Sequence, residues 1–100
     1  MKKLLVVVDM QNDFIVGSLG SAAAEAIVPS VVQKISGWDG DIVYTLDTHS
    51  DNYLSTKEGI KLPIKHCIKN TYGWQLNSRV EDALVGSGKT MKCFEKETFG

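Results

Sequence analysis

Three acids, two histidines and one lysine carry the chemistry this chain could do. Asp9 ends an unbroken apolar run, Leu4-Leu5-Val6-Val7-Val8, and is followed at once by Met10-Gln11-Asn12-Asp13-Phe14. A carboxylate in that place can act as a general base or can cap the turn that follows. The polar density of Gln11-Asn12-Asp13 exceeds what a plain turn needs, which favours the catalytic reading. Asp47-Thr48-His49 sets a carboxylate and an imidazole two residues apart. In extended chain, side chains at that spacing face the same way and can share one cation. His66 is the only other histidine. Two imidazoles and a carboxylate suit Zn²⁺, Fe²⁺ or Mn²⁺, with one position open for water or a substrate nitrogen. Glu58 is a further candidate ligand, read equally well as a solvated charge between Lys57 and Gly59. The plain alternative for the histidines is two hydrogen-bonded or surface imidazoles without a metal.

Lys96 follows an apolar alternation and would stand beside Asp9 if its strand ran parallel to the first, although strand-end lysines are usually solvated. Paired with Asp9, its ammonium would also be placed to stabilise a developing oxyanion. A nucleophile is missing. Cys93 lies three residues before Lys96, so on a strand the two point to opposite faces and Cys93 belongs to the core. Cys67 adjoins His66 and reads as a small buried thiol. Asp9-Met10-Gln11 also lacks the second aspartate of an Asp-x-Asp phosphatase and the adjacent acid pair of a phospho-receiver domain.

These residues need elements that bring them together. The Leu4 to Val8 run has the composition of a strand covered on both faces, and ligands of open parallel sheets sit outside the carboxyl ends of such strands. Ile27, Val28, Val31, Val32 and Ile35 recur at helical spacing. Pro29, costly in a helix interior, argues that this helix starts shortly before it, over about Glu25 to Ser36 with Gly37 just past the end. Asp41 to Asp47 is β-branched and aromatic-rich, a second strand that again terminates in acid. Strand, helix and strand make a right-handed βαβ unit, which brings Asp9 and Asp47 to one sheet edge. From Thr48 to Tyr72 periodicity is lost, and a loop this long is functional or disordered. Leu76, Val80, Ala83 and Leu84 then mark a short helix, with Ser78-x-x-Glu81 as capping box and Gly86 and Gly88 at its close. Lys89 to Lys96 is a third strand, Met91 and Cys93 alternating with Lys92 and Phe94.

The chain has 100 residues, 43% hydrophobic and 23% charged, which suits one small globular domain. Net charge is -1, and lysine and arginine are scattered, so no footprint for nucleic acid exists. No run is long enough for a membrane span, and Asp9 cuts the first apolar run short of a signal peptide. Two cysteines make no disulfide framework, which points to a reducing cytoplasm. The sequence ends at Thr98-Phe99-Gly100 directly after a strand-like run and reads as cut off.

Four segments, Val6-Val7-Val8-Asp9-Met10-Gln11-Asn12-Asp13-Phe14, Thr45-Leu46-Asp47-Thr48-His49, Leu62-Pro63-Ile64-Lys65-His66-Cys67 and Glu95-Lys96-Glu97-Thr98-Phe99-Gly100, resemble in order the first half of an isochorismatase-like cysteine hydrolase. That family includes nicotinamidases. The resemblance implies a three-layer, Rossmann-like α/β fold whose parallel sheet is ordered 3-2-1-4-5-6, with only the first three strands in this chain. Residues 1–100 would then be the N-terminal part of a single domain that continues past Gly100. Alone, the piece would leave an apolar central strand as an open edge and would aggregate, pair with another chain or be inactive. The resemblance further implies an Asp/Lys/Cys triad in which Asp9 and Lys96 are the first two members and the cysteine lies beyond Gly100. Its reaction would be hydrolysis of a small, nicotinamide-like carboxamide to acid and ammonia. Phe14 would line the substrate pocket, and Asp47, His49 and His66, with Glu58 as the variable further ligand, would hold a divalent metal that binds the pyridine nitrogen. A homo-oligomer is compatible with the resemblance. Two other functions compete: a metal-free relative acting on isochorismate or another small amide, and a non-catalytic binding module with a degenerate hydrolase fold.

Overall fold

The computed structural model describes residues 3–89 and 91–97. Strand β1 (Leu4–Val8) leads through a one-turn helix α1 (Asn12–Ile15) to the long helix α2 (Ala22–Ser36) and back to β2 (Asp41–Asp47). After β2 come a 3₁₀ turn at Tyr53–Ser55, the short helix α3 (Lys57–Lys61) and a second 3₁₀ turn at Tyr72–Trp74. Helix α4 (Ser78–Gly86) then returns the chain to β3 (Lys92–Lys96).

The three strands form one sheet in the order β1-β2-β3, parallel throughout. Val8 stands opposite Thr45, and Asp47 opposite Lys96. Asp9, Asp47 and Lys96 therefore share the carboxyl edge of the sheet, where parallel α/β folds gather their functional groups.

Helices α2 and α4 pack together over one face. Val7, Ile42, Val28, Ile35, Val80 and Leu84 fill the space between sheet and helices, extended by Met10 and Ile15. Strand alternation decides which residues enter that core. Leu5 and Val7 of β1 face it, whereas Leu4, Val6 and Val8 are 57%, 45% and 58% exposed. The expectation of a first strand buried on both faces thus holds on one face among the described residues.

Three local expectations are corrected. Helix α2 begins at Ala22, so Pro29 lies inside it rather than near its start. Ala22-Ala23-Ala24 is a strong helix-forming run, and the Ser21 hydroxyl caps it by accepting from Ala24 N at 3.0 Å. Those first turns are established before the missing proline N–H is felt. In α4 the cap is Asn77, whose side chain accepts from Arg79 N at 3.0 Å, and Ser78 is already helical. The stretch after β2 holds short helices and a parallel bridge between His49 and Ile68 rather than unbroken loop. The readings placed on Thr98 to Gly100 lie outside the described residues. Among those residues, no helix is long and apolar enough to cross a membrane.

Candidate active site

Asp9 is the first residue after β1, and its φ of 51° puts it in the left-handed region, which aspartate enters more readily than most residues. That turn ends the ladder: Asp9 N donates to Thr45 O at 3.2 Å and to Thr45 Oγ1 at 3.1 Å. The Thr45 hydroxyl donates back to Asp9 Oδ1 at 2.7 Å. Lys96 Nζ donates to the other oxygen, Oδ2, at 2.6 Å. Both carboxylate oxygens are thus engaged by strand-borne donors, one of them in a short, charge-assisted bond. The pair is not sealed, since the Asp9 side chain is 19% and the Lys96 side chain 30% exposed. Asp9 opens onto a cleft of about 310 Å³ walled by Val8, Met10, Phe14 and Ile27. Phe14 lines this cleft and also lies against His66, with ring centroids 5.6 Å apart.

A second cluster forms beside this pair. One ligand atom from each of Asp47, His49 and His66 falls within 4.8 Å of the others, and all three residues are buried. His49 Nε2 is 3.0 Å and His66 Nε2 is 3.3 Å from Asp47 Oδ2. Glu58 Oε2 stands 3.9 Å from His49 Nδ1, at the rim of the group. Tyr53, fully buried, packs its ring against both imidazoles at centroid distances of 4.5 and 4.9 Å. Burial, then Glu58 and Asp47, push its phenol above the ordinary range, and its hydroxyl donates to Leu62 O at 2.9 Å.

Buried polar atoms are nearly always hydrogen-bonded. Among the described residues, the buried side-chain atoms without a hydrogen-bond partner are Asp47 Oδ1 and His66 Nε2, inside this group, and Glu58 Oε1, at its rim and outside the three that converge. His66 Nδ1 meets Ile64 O at 2.7 Å, and donation there leaves a lone pair on Nε2. A lone pair 3.3 Å from a carboxylate oxygen is repulsive unless a proton or cation lies between them. An imidazole whose one ring N–H is anchored on a backbone carbonyl, as Nδ1 is here, is the usual arrangement of a metal-ligating histidine. The donor set therefore fits a divalent ion of the Zn²⁺, Fe²⁺ or Mn²⁺ kind.

The polar run after Asp9 supplies the scaffold. Gln11 is completely buried, and its Nε2 donates to Asp47 O and Trp74 O, each at 2.8 Å, while Asp47 N donates to Gln11 Oε1 at 2.9 Å. One side-chain amide thus clamps the Asp47 backbone in place. Trp74 Nε1 donates to Thr48 Oγ1 at 2.9 Å. The two histidine segments are stitched by His49 N to Cys67 O at 2.9 Å and Lys69 N to His49 O at 2.8 Å. Nothing local in the sequence separates the roles of Thr45, Gln11 and Asp13 from the motifs that contain them. The one local signal was an excess of polar residues after β1.

Neither cysteine offers a reactive thiolate. Burial pushes the Cys67 thiol well above the ordinary range, Asp47, Asp13 and Asp9 push it further, and Lys96 opposes them only weakly. Cys93 is also raised, chiefly by burial. A nucleophile needs the opposite environment.

A parallel sheet that sets an acid and an ammonium at its carboxyl edge, next to a buried carboxylate–imidazole group, defines a Rossmann-like α/β domain with strand-end chemistry. Residues 3–100 match the isochorismatase domain, and the chain belongs to that family. It is 34% identical to the nicotinamidase of Saccharomyces cerevisiae over an alignment of 113 residues, covering 83% of this chain and 52% of that protein. The yeast enzyme's crystal structure with the inhibitor nicotinaldehyde superposes with a TM-score of 0.73 at 30% identity, over 97% of this chain and 57% of that one. A Bacillus subtilis nicotinamidase gives a TM-score of 0.79 at 28% identity, over 97% and 56% of the two chains. A Pyrococcus horikoshii pyrazinamidase in complex with zinc gives 0.67 at 29% identity, over 99% and 54%. The chain spans about half the length of these relatives.

Proposed function

We propose that residues 1–100 are the N-terminal part of a cysteine hydrolase that converts a small, nicotinamide-like carboxamide to the acid and ammonia. The observation that carries the reading is the contact of Lys96 Nζ with Asp9 Oδ2 at 2.6 Å, at a strand end and beside an open cleft. The nucleophilic cysteine comes from a later segment of the same domain: Cys67 is fully buried, and Cys93, three residues before Lys96 on β3, points to the opposite face of the sheet from it. Asp9 takes the proton of that thiol, and the sulfur bonds to the amide carbon. The C–N bond then breaks, and the leaving nitrogen takes the proton and departs as ammonia. Water, deprotonated by Asp9, cleaves the thioester to the carboxylic acid and restores the thiol. Lys96 balances the Asp9 charge and supports the oxyanion of each addition step.

Phe14, in the wall of the cleft, is the aromatic surface for the substrate ring. Asp47, His49 and His66, with Glu58 as a further ligand, would hold a divalent metal, which would supply a Lewis-acidic binding point for a substrate nitrogen. The three unpartnered buried atoms support this assignment, as does the zinc complex of the Pyrococcus relative. The nicotinaldehyde complex of the yeast relative supports a pyridine-type substrate. Two free thiols support a reducing, cytoplasmic setting.

The test is ammonia release from nicotinamide by the natural full-length protein, with and without a chelator. Turnover abolished by chelation is the expected result. Chelator-resistant hydrolysis of a different amide would instead assign a metal-free branch, and ligand binding without turnover would overturn the enzymatic reading.

A further inference from the structure

Asp13 takes part in none of the steps above, yet its carboxylate is built into the loop that carries His66. Its Oδ2 accepts from Cys67 N at 2.8 Å, and its Oδ1 accepts from Ser18 N at 3.4 Å. We propose that Asp13 is a positioning residue for the metal cluster, holding His66 in its ligating orientation through the Cys67 backbone N–H. The inference rests on the metal assignment made above.

The argument begins with the backbone. Cys67 has φ 50°, a left-handed conformation that a cysteine does not adopt by preference. Something outside the loop must hold it, and the Asp13 bond falls on the N–H of that residue. This N–H belongs to the peptide that joins His66 to Cys67, so fixing it fixes the His66 main chain. The ring is then set from its other side by Nδ1 on Ile64 O at 2.7 Å, and Nε2 is left buried and unpartnered toward Asp47.

Neighbours of Asp13 pull the same way. Ser18 Oγ donates to Lys65 O at 2.9 Å, and Phe14 lies against the His66 ring. The carboxylate is also closely fitted: a Cβ at Gly17 or at Gly73 would overlap its atoms. Because Asp13 lies in the first turn of α1, which follows Asp9, the metal loop is moored to the segment that presents the general base. Outer partners of this sort tune metal affinity by orienting the ligands.

The experiment is a Co²⁺ titration of the metal-free full-length protein, followed by visible absorption and by competition with a chromophoric chelator, with melting midpoints of the metal-free forms measured alongside. D13A is expected to weaken Co²⁺ binding by about 10–100-fold, whereas D13N, which keeps an acceptor oxygen for Cys67 N, stays close to wild type. Gly73→Ala keeps the charge but drives the carboxylate aside. It should weaken Co²⁺ binding in the wild-type background and add nothing in the D13A background. If D13A fails to fold, the Gly73→Ala variant decides alone. Wild-type Co²⁺ affinity in D13A and Gly73→Ala, whatever their melting points, would overturn the role of Asp13 while His66→Ala still abolished binding. A wild-type protein that takes up no Co²⁺ would overturn the metal assignment and this inference together.

Discussion

The Asp9–Lys96 pair and the Asp47–His49–His66 cluster sit at the same sheet edge but are finished to different degrees. Asp9 has a donor on each oxygen and needs nothing further to be stable. The histidine cluster is more deeply buried, yet with Glu58 at its rim it leaves three atoms without hydrogen-bond partners. One site has its polar atoms met by protein, and the other leaves some of them without a hydrogen-bond partner. A buried unmet group costs about 1–3 kcal/mol, and under the proposed function that cost is what a bound cation would relieve at the second site, while the first serves proton transfer.

The contrast breaks most sharply at Asp9. Asp9→Asn in the full-length protein should lower kcat by about 10²–10⁴-fold while metal content, read by elemental analysis, stays at the wild-type level. A parallel loss of metal would show that the two sites are not separable. Gln11→Ala should have the next largest effect, on stability rather than chemistry. It strips partners from Asp47 N, Asp47 O and Trp74 O, and urea denaturation should show a loss of about 2–4 kcal/mol.

Thr45→Val sharpens the comparison at smaller scale. It leaves Asp9 Oδ1 and the Asp9 N–H each short of one partner, which should cost about 1–3 kcal/mol in the same assay, whereas Thr45→Ser should recover most of it. The smallest effect concerns the thiols. With the Cys67 thiol buried and held neutral, iodoacetamide at pH 8 should label Cys93 first and Cys67 only in denaturant, as read by peptide mass spectrometry. Prompt native labelling of Cys67 would reopen it as a nucleophile.

Much of this layout follows from local pattern. Leu4–Val8 and Asp41–Asp47 are strands because apolar and β-branched runs meet acid at their ends, and parallel order then gathers Asp9, Asp47 and Lys96. What could not be read depends on register between distant segments. The Thr45 bond to Asp9 and the Gln11 clamp on Asp47 each span 36 residues, and the Asp13 bond to Cys67 spans 54. Nothing in the neighbourhood of Thr45 or Asp13 distinguishes such a bond from a solvated side chain. Pro29 shows the converse: the preference of one residue is outweighed by the Ser21 cap and the alanines before it.

Thr45 and Asp47 are alternate residues of one strand, the first addressing Asp9 and the second the histidines. A slip of β2 by a single position would turn both side chains to the opposite face of the sheet. The Thr45–Asp9 contact and the Asp47–histidine contact would then be lost in one event, so each serves as a check on whether the chain has assembled correctly. A folding screen for this domain could read either signal, since a mispaired population would be silent in both.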